Sequence, residues 1–174
     1  IGLTGSARIL IEQWIDLKAV GIYGLYFRLS AMIILVHQIV NIVFFKKLYT
    51  IDARKLDHWF QNFLLLIIAI SIVSIFLVPV FILPFIEIIQ STWSVHKGLF
   101  ITLNFQMFFW IILALFENII YREKLARRCN PGLLVVFVAM FIIIGLIHFY
   151  GQLSLIQIVA INTIALYLAA EWQL

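Results

Sequence analysis

The chain has 174 residues, of which 65% are hydrophobic and only 11% charged, with a formal net charge of +4 and a mean hydropathy of +1.14. Soluble domains run nearer to about 45–50% apolar and about 25% charged, so the composition excludes an ordinary soluble globule and implies an all-α, polytopic helix bundle whose first partner is the lipid bilayer. The positive balance is not a nucleic-acid footprint, because the basic residues sit in short loops beside apolar spans, where membrane topology selects them.

Residues 1–12, IGLTGSARILIE, read as the tail of a helix begun upstream. The chain opens on Ile1 and shows no basic region followed by an apolar run and a small-residue cleavage site. It therefore reads as a fragment whose N-terminal part is missing: five full spans and the tail of a sixth, forming a single transmembrane domain. Arg8 and Glu12 are four apart, a spacing that allows a surface pair worth a few tenths of a kcal/mol. A polar connection, 13–18, leads into the first span, about 19–45.

That span is long enough for a bilayer, which takes roughly 20 apolar residues, yet it holds Arg28, His37, Gln38 and Asn41. At 100° per residue, Tyr23, Ser30, His37 and Asn41 share one stripe, and Arg28 lies nearly opposite, on the side of Gly21, Gly24 and Leu35. A helix wet on two sides walls a polar cavity or packs inside a bundle. The next stretch, KKLYTIDARKLDHWF, is predicted as a short interfacial helix with Trp59 near the headgroups, running into the second span, 61–86. This span carries no charge, and Pro79 and Pro84 should kink its last two turns, since each removes a backbone donor.

A polar connection, 90–97, is predicted before the third span, about 98–120, which carries Asn104, Gln106 and Glu117. Glu117 precedes Arg122, Lys124, Arg127 and Arg128 by a turn or more, as an interfacial carboxylate or a proton or cation site. Pro131-Gly132 is read as punctuating the loop before the fourth span, about 132–149, which ends at His148. A tight turn at 150–152 leads to the fifth, about 153–170, with Gln157 and Asn162 inside it.

Loop charge orients these spans. The loops 46–58 and 121–131 carry four Lys or Arg each, whereas the 13–18 and 87–97 connections carry one each and the 150–152 turn none. Positive-inside bias puts both rich loops and the C-terminus in the cytoplasm and the poor connections outside.

Catalytic constellations are missing from the sequence: no Gly-rich phosphate loop, no HExxH, no GxSxG and no paired aspartates in a loop. The four histidines are scattered, and the lone Cys129 excludes an internal disulfide and argues against a zinc site. The chain is therefore read as a non-enzyme that needs no cofactor and no metal. The remaining signal is polar residues inside spans, which cost several kcal/mol unless partnered and by default suggest function. Arg28 is the most expensive. It lies roughly 13–15 Å into its span at about 1.5 Å per residue, and its fixed charge and forked donors suit an anionic group such as a phosphate. His37, Gln38 and Asn41, with Tyr23, could hydrogen-bond a sugar or bridge helices. Arg8 and Glu117 are weaker candidates.

The stretch GSARILIEQWIDLKAVGIYGLYFRLS resembles the helix–loop–helix of the multidrug/oligosaccharidyl-lipid/polysaccharide (MOP) exporter superfamily, in its polysaccharide-export and O-antigen flippase branch. Ala19-Val20-Gly21-Ile22-Tyr23-Gly24 supplies the phrase that follows the loop there. Ala7-Arg8 stands where Asp-Arg is usual, so the acidic partner of that motif is absent. The likeness covers about 1–60 and continues as span count and loop pattern. It implies the C-terminal of two six-helix bundles around a central cavity, in the bacterial inner membrane. The substrate it implies is an undecaprenyl-pyrophosphate-linked oligosaccharide, moved between leaflets for surface polysaccharide or lipopolysaccharide export with no covalent chemistry. Alternatives are a cation-coupled multidrug exporter of the same superfamily, an integral-membrane glycan polymerase or transferase, and a non-transporting scaffold.

The charge pattern has a direct check. Single cysteines replacing Lys55 and Lys124, in a chain with Cys129 removed, should both react with a membrane-impermeant maleimide only from the cytoplasmic face, and one replacing Lys97 only from the other. Labelling of positions 55 and 124 from opposite faces would break the five-span scheme.

Overall fold

The computed structural model describes residues 2–35, 38, 42, 50, 53–82, 85, 87–151 and 153–173. Those residues form an all-α bundle without strands. Five helical stretches are long and apolar enough to cross a membrane: Leu17–Leu35, His58–Phe81, Trp93–Arg122, Asn130–Tyr150 and Leu155–Trp172.

Helix α1 (Gly2–Trp14) buries Ala7, Leu10 and Ile11 at three-to-four-residue spacing and leaves Arg8, Ile9, Glu12 and Gln13 exposed, the pattern of a helix with one packed stripe. The turn after it is tighter than the expected 13–18 connection. Asp16, in extended conformation, caps α2 (Leu17–Ser30) by accepting the Ala19 N–H, which satisfies one of the orphan donors at a helix start. Helix α2 buries Ala19, Tyr23, Tyr26, Leu29 and Ser30. It closes at Ala31, whose N–H donates to the Phe27 carbonyl at 2.8 Å.

Helix α3 (Ala53–Leu77) runs without a break from the basic stretch into the apolar one. Its buried stripe is narrow, Phe63, Ile67 and Ser71, continued by Val78, while Leu65, Leu66, Ile72, Val73, Phe76 and Leu77 are exposed. That surface suits lipid rather than protein. The chain then widens into a π-helical turn, Val78–Ile82. Pro79 explains it: proline lacks the N–H that would bond four residues back and its ring crowds that carbonyl, and a π-turn re-spaces the ladder around the fault. Pro84 lies outside the described residues.

Helix α4 (Glu87–Arg122) is 36 residues long, about 54 Å at 1.5 Å per residue. It corrects the expectation of a polar connection at 90–97. That segment, QSTWSVHK, contains no Gly or Pro, so nothing stops the helix, and its polar residues form an extension beyond the apolar span. An 18-residue apolar window within Trp93–Arg122 is half buried, more than the corresponding window of any other described span, and α4 touches α2, α3 and the two helices that follow it, which places it at the centre of the bundle. Helix α5 (Ala126–Tyr150) corrects a second expectation, because Pro131 and Gly132 lie inside it and not in a loop. Pro131 is the sixth residue of the helix, so it forfeits the intrahelical bond to the carbonyl four residues back, and the helix continues past it. At Gly132 a Cβ would stand 1.8 Å from Nε1 of Trp172, so a side chain there would require the Trp172 ring to shift. The turn between α4 and α5 carries Lys124 at φ 59°, a left-handed conformation that glycine or asparagine adopts more readily.

Helix α6 (Leu155–Trp172) begins with a reciprocal capping box. The Ser154 N–H donates to Gln157 Oε1 at 2.9 Å, and the Gln157 N–H donates to Ser154 Oγ at 3.4 Å. Gln157, expected inside the span, is therefore spent on its end. The buried face of α6 includes Ala165, Ala169 and Ala170, small residues that let two helix backbones approach closely, and its most extensive neighbour is α4. Two short turns, after α4 and after α5, make α4 and α6 run in the same direction. Phe60 at the start of α3 stacks on Phe116 near the end of α4, centroids 5.1 Å apart, and both pack with Ile120 and Ala170. The start of α3 and the α4–α5 turn, the two basic-rich segments, therefore lie at one end of the bundle.

Candidate functional site

Within a hydrocarbon layer no water is at hand, so buried polar side chains are satisfied by protein or not at all. Among the described residues, Ser30 and Asn104, with Ser74, make such a junction. Asn104 is 1% exposed and Ser30 fully buried. The Asn104 amide nitrogen donates to Ser30 Oγ on α2 at 3.2 Å and to its own helix at the Phe100 carbonyl, 2.9 Å. Its amide oxygen accepts the Ser74 hydroxyl of α3 at 3.3 Å. One side chain thereby ties three helices, using both ends of an amide that has no net charge to desolvate. Beside it, α3 and α4 enclose a crevice of about 250 Å³ whose apolar walls include Ile68, Ile75, Phe105 and Phe108, with Ser71 and Asn104 as its polar groups. The Ser71 hydroxyl is buried and has no hydrogen-bond partner.

A second polar level lies between α4 and α6. Gly98 of α4 approaches Ile156 of α6, and Phe109 meets Tyr167 at 5.3 Å. This register puts Asn162 level with position 104 and within about 3 Å of the depth of Gln106. Gln106 is fully buried and neither its amide nitrogen nor its oxygen is hydrogen-bonded, and Asn162 Oδ1 is unbonded too.

The residues singled out from sequence do not form one cluster. Tyr23 is buried in the main core with its hydroxyl unbonded. Arg28 is exposed on the opposite face of α2, where a Cβ added at Gly21 or Gly24 would meet no atom within 4 Å. Gln38 is exposed, and His37 and Asn41 lie outside the described residues. Arg8 is exposed on α1 and Glu117 on α4. Arg122 engages the Glu123 carboxylate, 3.3 Å away. His148 stacks on Trp14, with ring centroids 4.9 Å apart, joining the ends of α5 and α1. Among the described residues no group of three His, Cys, Asp or Glu side chains converges as a metal site would require.

Sequence reasoning named Ser30 and Asn104 as polar positions but did not join them. Their pairing depends on which helices are neighbours, and helical periodicity does not report that. Compared with protein-family models, curated proteins and solved structures, the chain gives no match.

The two polar levels should respond oppositely to mutation. Asn104→Ala strips hydrogen bonds from two other helices and should cost about 1–2 kcal/mol, seen as a lower thermal midpoint of the purified chain in detergent. Gln106→Leu removes an amide that bonds nothing and should be neutral or stabilising by up to about 1 kcal/mol. A Gln106→Leu midpoint as low as that of Asn104→Ala would show that Gln106 is bonded after all.

Proposed function

We propose that this chain is one helical bundle of an exporter that carries a lipid-linked oligosaccharide across the bacterial inner membrane by alternating access, without covalent chemistry. In this reading its partners are a second bundle and the lipid-linked substrate. The observation that carries it is the position of Arg28. It lies about 16 Å along the Leu17–Leu35 span from Leu17 and about 10 Å from Leu35, and it points away from the packed core. A guanidinium at that depth is not left against acyl chains, because the cost is several kcal/mol by insertion scales. It needs a hydrated path, an anion or an acidic neighbour. Gly21 and Gly24 clear the surface beside it, and the forked donors match a phosphate. An oligosaccharide pyrophosphate supplies the anion and the need for a wet path together.

The likeness of residues 5–30 to the polysaccharide-export branch supports the same reading. So does the placing of both basic-rich segments at one end of the bundle, which we take as the cytoplasmic end by positive-inside bias. In such a mechanism Arg28 holds the pyrophosphate at mid-depth while the two bundles rock around it. Asn104 and the helices it ties stay together as a rigid wall.

Arg28→Ala in the full-length protein, at matched expression, should reduce surface-polysaccharide output at least about ten-fold, with Arg28→Lys recovering part of it because the charge returns without the fork. Purified protein in vesicles should exchange a lipid-linked sugar between leaflets. Unchanged polysaccharide output with Arg28→Ala would remove this residue from the mechanism, and formation of a glycosidic bond in the vesicles would point to a transferase instead.

A further inference from the structure

We infer that the crevice where α3, α4 and α6 meet, at the basic end of the bundle, binds an ammonium group carried on an apolar chain. The crevice holds about 180 Å³, and its lining includes Phe60 from α3, Phe109, Ile112 and Phe116 from α4, and Tyr167 and Glu171 from α6. Four of these six are aromatic, in two ring pairs: Phe60 stacked on Phe116 at 5.1 Å and Phe109 edge-on to Tyr167 at 5.3 Å. Aromatic faces carry negative charge density, and a cation within about 6 Å of a ring centroid is attracted to it, more strongly where water is thin.

Glu171 sets the sign of the occupant. It is exposed and lies in the last turn of α6, where the unpaired carbonyls of a helix end add partial negative charge. Glu171 follows Tyr167 by one turn on the same helix face, and the two line the crevice together. A neutral chain leaves the carboxylate unused. A compact hydrated metal ion makes poor use of walls formed by Leu64, Ile112 and Ala170. A soft, weakly hydrated ammonium with a hydrocarbon tail satisfies both the rings and the carboxylate. The volume is several times the ~30 Å³ share of one liquid water, enough for such a headgroup and its first methylenes. The site stands at the end of three spans, where a bilayer presents its headgroups. Two sources offer the chemistry, the ammonium of a zwitterionic phospholipid and a free amphiphilic amine. This site is separate from Arg28, which takes the opposite charge.

The test compares two probes of equal chain length on the full chain in maltoside micelles by isothermal titration. One is dodecyltrimethylammonium, and the other is an uncharged analogue with a tert-butyl head. The charged probe should bind at least about five-fold more tightly. Glu171→Gln should abolish that preference, and Phe60→Leu should weaken the charged probe about three-fold while leaving the neutral one unchanged. A misfolded variant would lose both probes together, so the ratio reads the site and not the fold. Displacement of the charged probe by added phosphatidylcholine assigns the site to a lipid headgroup, and its persistence assigns it to a free amphiphilic amine. Equal binding of the two probes to the unaltered chain, or a preference that survives Glu171→Gln, overturns the inference.

Discussion

A hydrogen-bonding side chain that enters a hydrocarbon layer with its helix cannot fall back on water, and this restriction governs how the bundle is put together. Asn104 meets it by reaching in two directions, toward Ser30 on α2 and Ser74 on α3, while keeping one bond to its own helix. Apolar packing alone discriminates weakly between helix faces in lipid, because acyl chains are as apolar as leucine. Helix α3 shows this well. Its exposed surface is as apolar as its buried stripe, so the Ser74–Asn104 bond does more to select its rotation than hydrophobicity can.

The α4–α6 pair follows a different rule. There the contact is made by small residues, Ala169 and Ala170, and by large α4 side chains such as Leu113 and Phe116 that fill the space beside them. Close approach gains dispersion contacts that lipid cannot match at the same density. The seam includes Gln106 and Asn162 although it leaves some of their polar atoms unbonded, so its stability rests on packing. Two modes of cohesion thus coexist on one helix, a polar knot on the α2–α3 side of α4 and a close-packed seam on the α6 side.

Much of this architecture is legible in the sequence. Apolar runs of sufficient length mark the five spans, and the alternation of basic-rich and basic-poor loops anticipates that the start of α3 and the α4–α5 turn share one end. Boundaries were harder, for a physical reason. Polarity at 90–97 and the Pro131-Gly132 pair read as loops, yet helix geometry persists at 90–97 because no residue there forbids it, and at Pro131 it persists despite one lost backbone bond. The polar junction was out of reach for another reason. Residues 30, 74 and 104 are brought together only by the order in which helices pack, and a single sequence carries no term for that order. Periodicity did place Tyr23 and Ser30 on the face opposite Arg28, and the structure buries the first two and exposes the third.

Three polar residues at comparable depth therefore have three different fates, and the contrast bears on function. Asn104 is buried and bonded, which needs no external partner. Gln106 is buried and unbonded, a cost that neutral amides bear at about 1–3 kcal/mol each. Arg28 is neither buried nor, unlike the amides, able to shed its charge, since a guanidinium stays protonated in proteins. The first two can be accounted for inside this chain. The third cannot, because its face of α2, with Gly21, Met32 and Leu35 also exposed, meets no other part of the described bundle. Among the described residues, a fixed charge on an otherwise apolar, glycine-cleared face is the feature that most calls for something beyond these helices, and that requirement is why the reading of function rests on Arg28 rather than on the better-bonded interior.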